Sequence, residues 1–263
     1  MNRYTLQSAA TVPSTMSTRS LAGAYLHEIR AECLRYLRSP GFLLPTLLFP
    51  AAFYLMFAVM LGKGQPADAA RFLLGSYVTF GVMAPGLFGF GMSLALERDN
   101  GLLTLKRALP MPPLAYLLGK MVMAMMMALA IVSVLQLLAV GVAGVQLAAW
   151  QSLRLMAVAT FGTLPFCALG LLLGTLVKGN GAPAVINLIY LPMAVLSGLW
   201  FPLKVLPPVL RDMAVAWPSY HLNALAQTAL DFPAGAAWPH VTWLVVFTLV
   251  VTALAAWRLR RHG

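Results

Sequence analysis

Six long apolar runs, charged only at their edges, dominate the pattern of hydrophobic and polar positions along the chain. They lie at about 42–61, 72–96, 121–145, 155–177, 182–201 and 240–257. Each is close to the roughly 20 residues that a helix needs to cross about 30 Å of hydrocarbon. Prolines interrupt four of the six runs, and the neighbouring helices must then satisfy the freed carbonyls. The pattern predicts an all-α integral membrane protein whose transmembrane domain spans residues 42–257.

The segments before the first run and after the last are more polar. Residues 1–19 are rich in Ser and Thr without apolar periodicity, which indicates a flexible tail, and residues 258–263 form a basic tail. Residues 20–38 predict an amphipathic helix that is too polar to span. Its apolar positions recur every fourth residue, at Leu21, Tyr25, Ile29, Cys33 and Leu37. This helix either lies along the inner leaflet, where anionic lipid attracts its basic residues, or is an ordinary surface helix.

The connection between the fifth and sixth runs, residues 202–239, is long and still apolar. Such a segment should not stand free in water, so we expect short helices that dip into the outer leaflet or cap the bundle. Pairs of small residues, such as Gly170 with Gly174, can mark a face for close helix contact or a dimer, although this signal is weak in a Gly-rich membrane sequence.

Composition supports the membrane assignment. Of 263 residues, 60% are hydrophobic and 10% are charged, whereas a soluble domain carries about 25% charged residues. The net charge is +11. If the N-terminus is cytosolic, 13 of the 18 Lys and Arg residues fall on the inner side, which favours cytosolic termini and explains the basic character without nucleic acid. We see no cleavable signal peptide, so the first span should serve as the targeting signal.

The most polar interval between two apolar runs is residues 97–113, ERDNGLLTLKRALPMPP. Asp99 or Asn100 can cap a short helix here, and Lys106 and Arg107 lie near its end, an order that the helix dipole favours. The prolines that follow should end this helix. Its apolar face consists of Leu102, Leu105 and Leu109. Two interpretations stay open from the residues alone, a solvated loop and a docking element for a cytosolic partner.

We find no catalytic motif in the sequence. No GxxxxGK[ST] occurs, so we expect no ATPase activity and no cofactor in this chain. Ser197 with His221 or His240 offers a nucleophile and a base only superficially, since the serine motif of intramembrane proteases is missing. The four histidines are scattered singly, which argues against a metal site.

Uncharged polar residues remain inside the runs: Ser133, Gln136, Asn187, Tyr190 and Ser197. Their default interpretation is hydrogen bonding between helices, with a position along a transport pathway as the alternative. Because ionisable residues are lacking within the runs, proton or sodium coupling inside this chain is disfavoured.

Three stretches together resemble the permease subunit of ABC-2 type exporters. These are RSPGFLLPTLLFP, ALERDNGLLTLKRALPMPPLAYLLGK and LPMAVLSGLWFPLKVLPPVLRDMAVAWPSYHLNAL. The resemblance covers about residues 20–258, and its more specific parts are ER-x-x-G-x-L and SG-x-x-FPL-x-x-LP-x-x-L. It implies a six-span half-transporter in a bacterial cytoplasmic membrane. It also implies a second permease copy as partner and two separate cytosolic ATPase subunits that bind ATP and Mg.

The resemblance also implies roles for particular segments. Residues 20–38 would be the connecting helix, and about 202–235 the re-entrant outer helices. The coupling helix, which inserts into the ATPase, would comprise Glu97, Arg98, Asp99, Gly101, Leu102, Leu105, Lys106 and Arg107. The uncharged interior favours a hydrophobic or amphipathic substrate, whether drug-like, a lipid or a lipid-linked glycan. A membrane scaffold or sensor accessory that transports nothing is the competing hypothesis.

Overall fold

The computed structural model describes residues 18–60, 67–102, 105, 113–201 and 203–262. Within these ranges the chain is helical and contains no strand. Six helical stretches are long and apolar enough to cross a membrane, so the predicted fold class, an all-α integral membrane protein, is confirmed. The spans are Pro40–Ala58, Asp68–Asp99, Leu114–Gly141, Ala149–Leu176, Gly179–Leu196 and Ala237–Leu259, numbered 1 to 6.

Helix α1 precedes the spans, and several spans combine more than one helical segment. The first part of the chain contains α1 (Thr18–Leu37), α2 (Pro40–Leu55) with a π-helical end (Met56–Met60), α3 (Ala67–Ala84), a π-helical segment (Pro85–Met92) and α4 (Ser93–Asp99). The second part contains α5 (Pro113–Gly141), α6 (Ala149–Gly162), α7 (Leu164–Leu176), α8 (Ala182–Leu196), α9 (Pro208–Ala214), α10 (Pro218–Ala229) and α11 (Ala237–His262). Short 3-10 turns lie at Gly179–Gly181 and Leu203–Val205.

Span 2 lies at the centre of the fold. Of its most apolar stretch, 83% is buried, against 17% for span 6. Its π-helical segment packs directly on α7, and a Cβ added at Gly91 would lie 2.8 Å from the carbonyl oxygen of Gly170. A Cβ at Gly174 would come equally close to the carbonyl of Gly91. The small residues considered for a dimer face therefore mediate backbone contact between spans 2 and 4 of one chain.

The proline in the middle of span 2 is accommodated by a neighbouring span. The π-helical segment begins at Pro85, and span 4 is itself interrupted between α6 and α7. There the Thr163 hydroxyl donates to the carbonyl of Val82 at 2.9 Å. This bond satisfies an acceptor in the turn before Pro85, as expected for a membrane helix that contains proline.

Span 3 begins earlier than the apolar pattern indicates. The predicted start near residue 121 follows the last charged residue, Lys120, whereas the span begins at Leu114. Lys120 lies inside α5 with no solvent exposure. The charge of Lys120 therefore marks where the apolar run begins, but the helix begins earlier.

Helix α1 buries part of the predicted apolar face, since the three middle positions are partly buried, but two neighbouring positions are buried more deeply. Leu21 and Leu37, at the ends of the apolar repeat, are exposed, whereas Glu32 and Tyr36 are buried. The helix packs on α5. The reason for the difference is electrostatic, because the Glu32 carboxylate pairs with a cation on α5, as described below.

The long connection before span 6 contains α9 and α10, as predicted for this region. Helix α10 packs against α3, α6 and α11 at the end of the bundle opposite α1. A polar group that we call the Asp231 cluster (Arg71, Gln151 and Asp231) holds this end. Gln151 donates to the Asp231 carboxylate at 2.6 Å, and Arg71 lies 3.7 Å from it. The connection is therefore part of the packed bundle.

Candidate functional site

Six polar side chains from three helices meet where span 2 ends and span 3 begins. We call them the charged cluster, and they are Glu32 and Arg35 on α1, Ser93 and Glu97 on α4, and Tyr116 and Lys120 on α5. Tyr116 and Lys120 share a face of α5 because they are four residues apart. The antiparallel course of spans 2 and 3 brings this face beside the end of α4.

Lys120 lies at the centre of the charged cluster. Its Nζ donates to Ser93 Oγ at 2.8 Å, to Glu97 Oε1 at 3.0 Å and to Glu32 Oε2 at 3.3 Å. These three acceptors match the three donors of an ammonium group. Since the side chain has no solvent exposure, these oxygens replace its hydration shell.

Glu97 is almost as deeply buried, at 4% exposure, and both of its carboxylate oxygens are bonded. Arg35 and Lys120 donate to Oε1, and the Tyr116 hydroxyl donates to Oε2 at 2.7 Å. Burial lowers the pKa of Arg35, but the carboxylates of Glu32 and Glu97 outweigh that effect and raise it overall. Arg35 therefore stays charged and bridges α1 to the end of span 2.

The cluster is electrically balanced, with two carboxylates against one ammonium and one guanidinium. Burying these charges costs several kcal/mol per ion, an amount repaid only when the geometry satisfies every partner. Such a cluster contributes little net stability, but removing one member leaves an uncompensated charge. Its arrangement fixes α1, span 2 and span 3 relative to one another.

The two residues after Glu97 tie the end of span 2 in another direction. Arg98 donates to the carbonyls of Gly174, Thr175 and Val177 at 3.1, 2.7 and 2.8 Å, where α7 ends. Carbonyls at a helix C-terminus receive no hydrogen bond from within the helix, so a cation is favourable there. The Asp99 carboxylate accepts from the backbone N–H of Gly179 at 2.6 Å. Successive residues thus connect span 2 with α1, span 3 and the turn between spans 4 and 5.

The structure divides the eight predicted coupling residues into two groups. Glu97, Arg98 and Asp99 belong to α4, which continues span 2, and their side chains are bonded within the chain. The capping pattern suggested that Asp99 or Asn100 begins a separate helix. Asp99 is instead the last residue of α4, and Asn100 caps its C-terminal end. The chain turns at Gly101, where φ is +71°, a value that suits glycine.

Beyond that turn, Leu102 and Leu105 are exposed, at 43% and 65%. This agrees with a shared apolar face that the chain itself does not cover. Lys106, Arg107 and Leu109 lie outside the described residues. Two exposed apolar side chains therefore follow the turn, while before it Glu97 is buried, Arg98 is partly buried and Asp99 is exposed.

Three of the five predicted intramembrane polar residues bond between helices, whereas the Ser133 hydroxyl donates to a carbonyl of its own helix at 2.8 Å. Gln136 donates to the Ser152 carbonyl at 3.1 Å, and Ser197 pairs with Ser219 at 2.5 Å. Tyr190 donates to the carbonyl of Phe80 at 3.1 Å. These contacts fit the default interpretation.

Asn187 differs from them. Its side chain is exposed, hydrogen-bonds to no residue that the structure describes, and lines a cavity of about 420 Å³. Tyr190 also lines this cavity, together with Pro45 and Phe49 of span 1 and Phe88 of span 2. An amide that faces lipid is costly, so contact with lipid is unfavourable for this face of spans 1, 2 and 5.

Histidines that are scattered in sequence come together at the α10 end. His221 and His240 lie 2.8 Å apart through their Nδ1 atoms, and His221 Nε2 lies 2.9 Å from the Val215 carbonyl. That carbonyl can only accept, so His221 carries its proton on Nε2 and accepts at Nδ1 from His240. Among the described residues no group of three or more His, Cys, Asp or Glu could hold a metal ion.

Sequence reasoning missed five of the six members of the charged cluster, which are Glu32, Arg35, Ser93, Tyr116 and Lys120. One signal was present, since Glu97 and Lys120 flank one short connection between two apolar runs and carry opposite charges. In an antiparallel hairpin such residues lie at the same level. The contribution of α1 had no comparable signal, because Glu32 and Lys120 are 88 residues apart.

The fold and the site define a class of protein, a multi-pass membrane protein in which the charged end of span 2 is tied to three parts of the bundle. The ABC-2 type transporter family matches residues 25–230, and the chain belongs to that family. A Bacillus subtilis protein whose name describes a transport permease, YvfS, is 27% identical over 235 residues, which are 88% of this chain and 95% of that protein.

The inner membrane transport permease YhhJ of Escherichia coli K12 is 26% identical over 176 residues. The match covers 65% of this chain and 46% of YhhJ, so the chain aligns with about half of that longer relative. A protein with the same name from Shigella flexneri matches to the same extent. The predicted family is therefore confirmed, and the chain is a transport permease.

Proposed function

We propose that this permease exports a hydrophobic or amphipathic substrate across a bacterial cytoplasmic membrane, driven by a separate ATPase. Two ATPase subunits and a second permease copy complete the transporter, and both termini of the chain lie in the cytosol. The charged cluster then lies at the cytosolic end and α10 at the outer end. One observation carries the proposal, the connection of Glu97, Arg98 and Asp99 to three different parts of the bundle.

The mechanism follows from that connection. The ATPase docks on the exposed apolar face at Leu102 and Leu105 and moves when it binds ATP. Because Glu97 is held by ion pairs, and Arg98 and Asp99 by hydrogen bonds to the backbone, a displacement of the docking segment moves α4 as a unit. Glu97 passes this movement to α1 and span 3, and Arg98 passes it to the end of span 4. The spans thereby change their tilt and release the substrate outward.

The substrate class follows from the chemistry of the spans. The cavity beside Asn187 has aromatic walls and few polar groups, which suits an amphiphile better than an ion. Asn187 and Tyr190 supply the polar contacts of this pathway, while Gln136 and Ser197 hold helices together. Exchanging Asn187 for Leu should reduce transport without affecting ATPase binding, and Leu188→Val, at an adjacent position with 74% exposure, serves as its control.

Docking and transmission can be tested separately. Leu105→Glu should abolish co-purification of the ATPase in mild detergent, because a charge replaces an apolar contact. Leu26→Glu is a matched control, since Leu26 is exposed to the same degree (68% against 65%) on α1. Arg98→Ala should keep the ATPase bound but uncouple its ATP hydrolysis from uptake of a fluorescent amphiphile into inverted membrane vesicles.

Two results would overturn the proposal. Recovery of the chain without any nucleotide-binding protein, even after crosslinking, would favour the scaffold hypothesis. Accumulation of the amphiphile in right-side-out vesicles but not in inverted vesicles would establish uptake in place of export.

A further inference from the structure

An apolar groove of about 540 Å³ lies in the half of the bundle next to α10. Its walls come from α6, the start of α7, α10 and α11. The walls include Ala157, Phe161, Leu222, Leu225, Val245 and Leu249. Thr248 is the one polar side chain in the lining, and its hydroxyl already donates to the Leu244 carbonyl at 2.6 Å. The side chains of the groove therefore offer no free hydrogen-bond donor to a ligand.

The break in span 4 gives the groove its depth. Helix α6 ends at Gly162 and α7 begins at Leu164, so the span is offset in its middle. Gly162 permits α10 to approach closely here, since a Cβ at this position would clash with the Leu222 side chain. The groove thus runs from the level of α10 to the middle of spans 4 and 6.

Polar and aromatic side chains lie at the mouth of the groove. The His221–His240 pair immediately precedes Leu222 and Val241 of the wall, and Trp243 stacks on His221 with ring centroids 4.2 Å apart. Trp238, at 71% exposure, begins span 6 at the same level. Such aromatic residues are typical of the boundary between lipid headgroups and acyl chains. The groove therefore begins at a membrane interface and descends into hydrocarbon.

The exposed face of span 6 indicates what covers the groove. It is formed by apolar residues such as Val241, Val245, Val246, Leu249 and Val250, which suit lipid. The exposed amide of Asn187 lies instead on the face of spans 1, 2 and 5. Because an amide is unfavourable in lipid, a second copy of the chain or a transport pathway is expected on that face. Lipid is therefore the expected neighbour of span 6, and an apolar groove of this volume on that face suits one flexible hydrocarbon tail.

We propose that this groove binds one acyl chain of a phospholipid in the leaflet next to α10, with its headgroup beside the His221–His240 pair. The bound chain fills the space between span 4, α10 and span 6 and so completes the packing of the outer connection. This site is independent of the cargo and of the ATPase.

The test uses phosphatidylcholine that carries a photoactivatable diazirine near the middle of one acyl chain. The whole permease is reconstituted in vesicles that contain this lipid, illuminated and mapped by peptide mass spectrometry. Labels are expected on peptides of α6, α10 and α11 that line the groove. Val245→Trp should reduce this labelling by roughly tenfold, because the indole excludes methylenes that each contribute to binding.

Val246→Trp is the matched control, because Val245 and Val246 are adjacent, are exposed at 51% and 53%, and only Val245 lines the groove. Its labelling should equal that of the unmodified chain. Equal labelling of all three proteins, or no label on the groove peptides, would overturn the proposal. Spontaneous disulfide-linked dimers of Val245→Cys would overturn it too, since a second copy would then cover the groove.

Discussion

Two groups of charged side chains hold opposite ends of this bundle, and they differ in their access to water. In the charged cluster, Lys120 and Glu97 have side-chain exposures of 0% and 5%, while Arg35 at its edge reaches water with 47%. In the Asp231 cluster, Arg71 and Asp231 have 22% and 44%. A buried ion pair is costly to break, whereas an exposed pair contributes little. The more deeply buried ion pairs therefore lie at the end where we propose that the partner docks.

The largest effect should follow from removing the central cation. Lys120→Met leaves Glu32 and Glu97 buried with only Arg35 to balance them, which should lower the free energy of unfolding by about 3–5 kcal/mol. Denaturant titration in detergent micelles measures this loss. The double variant Glu97→Gln with Lys120→Met should be more stable than the sum of the single losses predicts. Additive losses would mean that the two side chains are not coupled.

A smaller loss is expected from Arg98→Ala. The three carbonyls at the end of α7 then lose a charged donor, which should cost about 1–3 kcal/mol. The same titration measures it, with Arg154→Ala as control, because Arg154 is exposed and packs over the exposed Trp150 ring. An equal loss in both variants would show that Arg98 acts only as a surface cation.

A pH dependence should distinguish the two ends without any mutation. Burial lowers the pKa of His221 below its usual value of 6.5, because the folded state favours the neutral ring. Above pH 6.5 both states are neutral, and as the pH falls from there towards the folded pKa only the unfolded state binds the proton. The free energy of unfolding should therefore decrease in that window.

Hydrogen exchange at pH 7.5 and pH 5.5 should locate this decrease in α10 and the start of α11. The charged cluster has no histidine and should keep its protection. His221→Gln should reduce the difference between the two pH values. An unchanged difference would assign the pH response to another group.

The smallest effect is expected from Asp231→Asn. The amide keeps the shape of the carboxylate and can still accept from Gln151, so only a partly exposed ion pair is lost, with a cost of about 0.5 kcal/mol. Glu97→Gln makes the same chemical change in the buried cluster and should cost several times more. Similar costs for the two variants would contradict the contrast between the two ends.

The sequence predicts much of the fold because a bilayer imposes a simple rule on length and polarity. The six spans follow from apolar runs, and the exposed apolar face at Leu102 and Leu105 follows from helical spacing. The burial of Glu97 could not be predicted in the same way, because a one-dimensional pattern assigns a charge to the surface. Its partners come from positions 62 residues before and 23 residues after it, as Arg35 and Lys120 show.

The contact between His221 and His240 has a similar explanation. The two residues are 19 positions apart, with α10, a turn and the start of α11 between them. Only the packing of α10 on α11 brings the rings together. Local pattern therefore identifies helices, while pairing between helices depends on packing that the pattern does not contain.

The charged cluster also has a consequence for biosynthesis. All six of its residues lie within the first 120 positions of the chain. Since translation proceeds from the N-terminus and early segments begin to fold first, the cluster can close as soon as span 3 leaves the insertion machinery. Spans 4 to 6 would then assemble on a preformed three-helix unit. The ion pairs that we assign to transmission would, during synthesis, allow Lys120 to enter the membrane already neutralised.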